Sequence, residues 1–110
     1  MRIALDAVGG DFAPREVIIG AREGLCFLGD DDRLVLYGPK EVVTAQCAEH
    51  GLNDPRVEIV DCKDVIGMHD SPVEALRHKR NSSIVRMAVD GSTNAVDALI
   101  SAGNTGAFAA

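Results

Sequence analysis

The sequence predicts an α/β fold built on a mostly parallel sheet, and two observations carry that reading. Four short runs rich in Val, Ile and Leu, "RIALDAV", "RLVLY", "RVEIV" and "VDALIS", are each bounded by Gly, Asp or Pro, the pattern of strands buried on both faces. Segments of helical period separate them, and strands joined through helices form βαβ crossovers, which make neighbouring strands parallel. No internal repeat, low-complexity tract or linker interrupts the pattern. The 110 residues read as one unit, with 46% hydrophobic residues to build a core.

The elements follow in order. After the first strand, Val17, Ala21, Leu25 and Leu28 recur at helical spacing behind Pro14, a residue suited to the first helical position. Gly20 and Gly24 weaken that helix but allow close packing on the sheet. A second helix is expected from Pro39 towards His50, with Gly51 as its C-terminal cap. Ser71, Pro72 and Glu74 make an S-x-x-E capping box for a third. Ser82 or Ser83 caps a fourth, expected to end near Gly91.

Composition excludes several function classes. The start "MRIALDAVGG" breaks its apolar run at Asp6 and reaches Gly9 and Gly10 at once, so it reads as a buried strand rather than an export signal or membrane span. A cytoplasmic setting is the expectation. Cys26, Cys47 and Cys62 are widely spaced, with no C-x-x-C pair or zinc-like His spacing, and read as reduced thiols with no metal role. With 17 acidic and 11 basic residues the net charge is −6, which argues against general nucleic-acid binding. It leaves room for a small anion held at one local site.

In open parallel sheets ligands bind beyond the carboxyl ends of the strands. Three loops of unusual composition fall at that edge: "DAVGGDFAP", "VIGMHDSP" and "SAGNTGA". In the last, Gly103 and Gly106 permit close backbone approach, while Ser101, Asn104 and Thr105 supply short polar side chains ahead of a helix start that attracts anions. This fits a phosphate cradle, although on composition alone an ordinary strand-to-helix turn explains it better. In the first loop Asp11 is placed to cap the helix at Pro14. Asp6 inside an apolar strand needs partners or a metal, and hydrogen bonds from neighbouring loop amides are the better reading of the residue taken alone. His69 has the chemistry of an acid or base near neutral pH, yet a lone loop His is usually just solvated. The run "RHKRNSS" gathers Arg77, His78, Lys79 and Arg80, either a solvated helix end or a patch for phosphate or an acidic partner.

Taken together, "DAVGGDFAP", "VIGMHDSPVEALRHKRNSS" and "DALISAGNTGAFAA" resemble, in this order and spacing, the N-terminal part of the bacterial phosphate acyltransferases of phospholipid synthesis. The resemblance implies a three-layer α/β/α sandwich similar to the phosphotransacetylases and isopropylmalate-type dehydrogenases. Residues 1–110 would then form the N-terminal part of a single larger catalytic domain, inactive alone. The implied reaction converts a long-chain acyl group on acyl carrier protein, with inorganic phosphate, into acyl phosphate for a membrane-bound glycerol-phosphate acyltransferase. No cofactor is implied. A homodimer in peripheral contact with the cytoplasmic membrane is, through parts this chain lacks. Val8 departs from the family's usual Met, and "MAVDGSTNAVDA" replaces a more regular charged helix, which predicts a shorter or kinked element at Gly91.

The implied chemistry suits what the sequence lacks. Phosphate, with a second pKa of roughly 6 to 7, arrives largely ionised, and a thiolate of pKa about 8.5 leaves readily. Neither a strong base nor a strong acid is needed, so the absence of a Ser-His-Asp or Cys-His set is no objection. Asn104, Thr105 and the amides of Gly103 and Gly106 are assigned the anion contacts, with Ser101 supporting the turn. Asp6, Gly9, Gly10, Asp11, His69, Ser82 and Ser83 organise the cleft, and Arg77 and Lys79 attract phosphate or the acidic carrier. Two other classes remain open on the residues: a non-catalytic α/β phosphate- or nucleotide-binding module, and a phosphate-acetyl or dehydrogenase-type enzyme. The last is disfavoured because no dinucleotide fingerprint is present.

Overall fold

The computed structural model describes residues 1–8, 13–62 and 83–100, with side chains from residue 85 onward in the last of these segments. Strands β1 (Arg2–Asp6), β2 (Arg33–Gly38), β3 (Val57–Asp61) and β4 (Ala98–Ile100) alternate with helices α1 (Arg15–Gly24), α2 (Lys40–Glu49) and α3 (Ser83–Ser92). The strands form one sheet in the order β3-β2-β1-β4. Every pairing in it is parallel, as the alternation of apolar runs and helices predicts.

Strand alternation divides the core between two faces. Ile3, Leu5, Leu34, Leu36, Val57 and Ile59 point to one side, where Ile18, Ala21 and Leu25 around α1 and Val43 and Cys47 of α2 cover them. Ala4, Val35, Tyr37, Val60 and Leu99 point to the other, against Met87 of α3 and Val96. The chain steps from β1 out to β3 and then back past β1 to β4, so right-handed crossovers put α3 on the opposite face from α1 and α2. Helices therefore flank both faces of the sheet.

Gly51 has φ of +71°, and the N–H of buried Leu52 donates to the Cys47 carbonyl at 2.8 Å. These are features of the Schellman ending, and the expected glycine fills the left-handed position. α3 ends the same way without glycine. Asn94 takes φ of +61°, with Ala95 N–H on the Asp90 carbonyl at 2.8 Å and Asn94 N–H on the Gly91 carbonyl at 3.3 Å. The helix ends at Ser92, next to the Gly91 near which the sequence predicts its end.

α1 differs from expectation in four respects. Its N-cap position is Pro14, one residue before the expected proline-led first turn and three after Asp11, which lies outside the described residues. The last turn tightens into a 3₁₀ segment, Leu25–Phe27. Its inward stripe includes Ile18, fully buried, while Val17 is only half-buried. Gly20 and Gly24 make no close approach to the sheet: a Cβ built at either would meet nothing within 4 Å among the described residues.

Candidate functional site

All four strands run the same way, so their carboxyl ends share one edge. β1 and β4 are neighbours although the first lies at the start of the chain and the second near its end. The direction of travel across the sheet reverses between them, and in sheets of this kind the crevice opens at that reversal. In the β1–β4 register Leu5 pairs with Ile100. The chain therefore leaves β1 at Asp6 and β4 at Ile100 side by side, and the loops "AVGGDFAP" and "SAGNTGA" both start at this point. β3 ends at Asp61 on the same edge, separated from β1 by β2.

Asp6 is the one predicted site residue whose side chain is described. It is 2% exposed, and its carboxylate accepts the Val8 N–H at 3.2 Å. A buried charge needs such partners, and a loop amide is the kind of partner the sequence suggests. Ser83 opens α3. Gly9, Gly10, Asp11, His69, Arg77, Lys79, Ser82, Ser101, Gly103, Asn104, Thr105 and Gly106 lie outside the described residues, as does the capping box at Ser71.

Several features of this edge escape sequence reasoning because they join distant segments. Asp61, at the end of β3, accepts the Lys40 N–H at 3.0 Å. It so caps α2, which has no side-chain cap of its own. Gly38 lets β2 leave the sheet between Val43 and Val8. A Cβ there would stand 3.0 Å from Val43 Cγ2 and 3.2 Å from Val8 Cγ1. Cys62, just past β3, is fully buried. Burial pushes its thiol pKa up to about 11 against the opposing pull of the Arg86 guanidinium, which keeps it an unreactive thiol at neutral pH.

A second feature opens beside the edge. A groove of about 400 Å³ lies between α1 and the sheet, floored by Ile3, Leu5 and Ile100 and walled by Val17, Gly20 and Gly24. Its acidic members, Asp6 and Glu16, belong to the end of β1 and the first turn of α1. Among the described residues no cluster of three His, Cys, Asp or Glu side chains is placed to hold a metal ion. None of the described helices is long and apolar enough to cross a membrane.

The chain is similar in sequence to known proteins. The family model described as "Fatty acid synthesis protein" matches residues 1–110. A phosphate acyltransferase of Oceanobacillus iheyensis is 44% identical over 98% of the chain, which covers 31% of that protein. One from Clostridium beijerinckii is 44% identical over the whole chain, 33% of its own length, and one from Clostridium tetani is 39% identical over the same shares. The chain thus spans about a third of the length of the curated relatives it matches. With the match running from the first residue to the last, the chain belongs to the fatty acid synthesis protein family.

Proposed function

We propose that this chain is the N-terminal part of a phosphate acyltransferase, which transfers a long-chain acyl group from acyl carrier protein to inorganic phosphate. The observation that carries the reading is the junction of β1 and β4. A register pairing Leu5 with Ile100 starts two Gly-rich loops side by side at the reversal point of a parallel sheet, in a chain whose relatives are named for acyl transfer to phosphate.

Such a reaction asks little proton transfer of the protein. The phosphate dianion is already a nucleophile and the thiolate a competent leaving group. What is required is a held dianion and a stabilised tetrahedral oxyanion, tasks for backbone amides, Asn and hydroxyl groups. Asn104, Thr105 and the amides of Gly103 and Gly106 take those contacts, Ser101 supports the turn, and Asp6 anchors the loop after β1 through the Val8 amide. Gly9, Gly10, Asp11, His69, Ser82 and Ser83 complete the cleft. Arg77 and Lys79 draw in phosphate or the acidic carrier protein. The acyl phosphate then serves a membrane-bound glycerol-phosphate acyltransferase, and the whole protein works as a homodimer in peripheral contact with the cytoplasmic membrane.

The test is Asn104→Ala in the complete protein, following phosphate-dependent release of thiol from acyl carrier protein. Losing one oxyanion donor costs about 3 kcal/mol of transition-state stabilisation, a rate loss of roughly a hundredfold or more. Turnover equal to wild type with an unchanged melting curve removes Asn104 from the mechanism.

A further inference from the structure

We propose that Val8 is a positioning residue: its side chain, seated on Gly38 against Val43, fixes where the Gly9–Gly10 loop begins and so where that loop meets phosphate. The proposal rests on the acyl-transfer reading above, which puts Gly9 and Gly10 in the cleft. It adds a side chain that reading does not use.

Three elements make the seat. Gly38 is the last residue of β2, and the point where its Cβ would stand lies 3.2 Å from Val8 Cγ1, 3.6 Å from Val8 Cγ2 and 3.0 Å from Val43 Cγ2. The two valines thus converge over one glycine. Neither support gives way easily. The Gly38 carbonyl accepts the Cys62 N–H at 2.9 Å, and fully buried Val43 donates its N–H to the Pro39 carbonyl at 2.9 Å in the first turn of α2.

The backbone leads Val8 into this seat. Beyond the last β1–β2 pair, Asp6 with Tyr37, the N–H of fully buried Ala7 donates to the Tyr37 carbonyl at 2.9 Å. The Val8 N–H then turns back to the Asp6 carboxylate at 3.2 Å. Two glycines follow at once, the residues that restrain a backbone least. A loop that starts with such a pair takes its position from the last side chain before it, and that side chain is Val8. A misplacement of about 1 Å in a substrate-holding segment is enough to cost roughly a hundredfold in rate.

The experiment compares Val8→Ala and Val8→Ile in the complete protein, varying phosphate and the palmitoyl thioester of acyl carrier protein separately. Val8→Ala removes both γ-carbons from the seat, and Val8→Ile keeps them. Val8 is only half-buried, so the truncated variant is expected to fold, and thermal melting checks this. The expected result for Val8→Ala is a KM for phosphate raised about tenfold or more, with the KM for the thioester and the melting temperature close to wild type. Val8→Ile should keep the wild-type KM for phosphate. Three results overturn the proposal. An unchanged phosphate KM in a folded Val8→Ala variant would mean that the loop is placed by something else. Both KM values and kcat worsening together with a lowered melting temperature would make Val8 a packing residue alone. Val8→Ile as impaired as Val8→Ala would show that the γ-carbons on Gly38 do not place the loop. Wild type without phosphate-dependent thiol release would overturn the acyl-transfer reading itself, and this role with it.

Discussion

The hydroxyl of Tyr37 donates to Asp90 Oδ2, joining β2 to α3 across 53 residues of chain. Tyr37 is the chain's single tyrosine and is 1% exposed. Burial, and then the hydrogen bond and charge of Asp90, raise its phenol pKa well above the usual value. A phenol whose folded pKa exceeds its unfolded value of about 10 contributes stability that is whole below pH 10 and lost as pH rises through the folded pKa. Ultraviolet titration of the native chain should therefore show no phenolate until well above pH 10, and Tyr37→Phe should flatten the alkaline loss of stability. An ordinary titration near pH 10 in the folded state would contradict this.

The Asp54–Arg56 pair works at the opposite edge of the sheet. Arg56 donates to both oxygens of Asp54, at 3.0 and 2.9 Å, and to the carbonyls of Leu25 at 3.1 Å and Leu28 at 2.8 Å. It thereby closes the end of the 3₁₀ segment that follows α1. The Arg56 guanidinium holds the Asp54 carboxyl down at about 2. A carboxyl depressed on folding stabilises above its unfolded pKa of about 4, and that contribution fades as pH falls towards 2. Asp54→Asn should lower the urea midpoint at pH 6, and the gap to wild type should narrow on acidification. Because the pair is partly exposed, salt should narrow it too.

Gly38→Ala should be poorly tolerated. The added methyl would press on Val43 and Val8 at 3.0 and 3.2 Å, and overpacking of this kind costs about 1–3 kcal/mol. Denaturant midpoints should show a smaller penalty when the same change is made in a Val43→Ala background. Equal penalties in the two backgrounds would mean that Val43 is not the obstacle.

The ending of α3 predicts an asymmetric pair of substitutions at Asn94. Its φ of +61° suits Asn or Gly and penalises other side chains. Asn94→Ala should cost about 1 kcal/mol, and Asn94→Gly should be tolerated. Thermal melts of the two variants side by side check this, and equal stability would show that the left-handed position is not what the residue supplies.

The fold was legible where local signals and tertiary packing agree. β2 is the apolar run "RLVLY" with one residue added, and α2 lies between its expected proline and glycine boundaries. Legibility failed where a residue's role depends on a distant partner. Nothing near Asp61 announces that it caps α2, and nothing near Tyr37 points to Asp90. The stripe beginning at Val17 missed Ile18 because both residues lie about one helical turn before Ala21, and only the packing of the helix on the sheet decides which of them is buried. The glycines of α1 were readable as a place of close approach, but whether they meet the sheet or face open space depends on the angle at which the helix lies. For the candidate site, Asp6 behaves as a buried carboxylate beside a polar loop should, and the three-loop pattern marked the family from sequence alone.

The pairing of β1 with β4 also sets an order of events. Arg2 N–H donates to Asp97 at 2.7 Å across 95 residues, and Ile3 through Leu5 pair with Ala98 through Ile100. During synthesis the first strand to leave the ribosome finds β2 early, yet its other edge stays open until nearly all of this chain has emerged. Contacts so distant in sequence form slowly because a long loop must close first. Among the four described strands this junction is thus the last to be assembled, and a nascent chain halted before Ala98 would leave the second edge of β1 without β4.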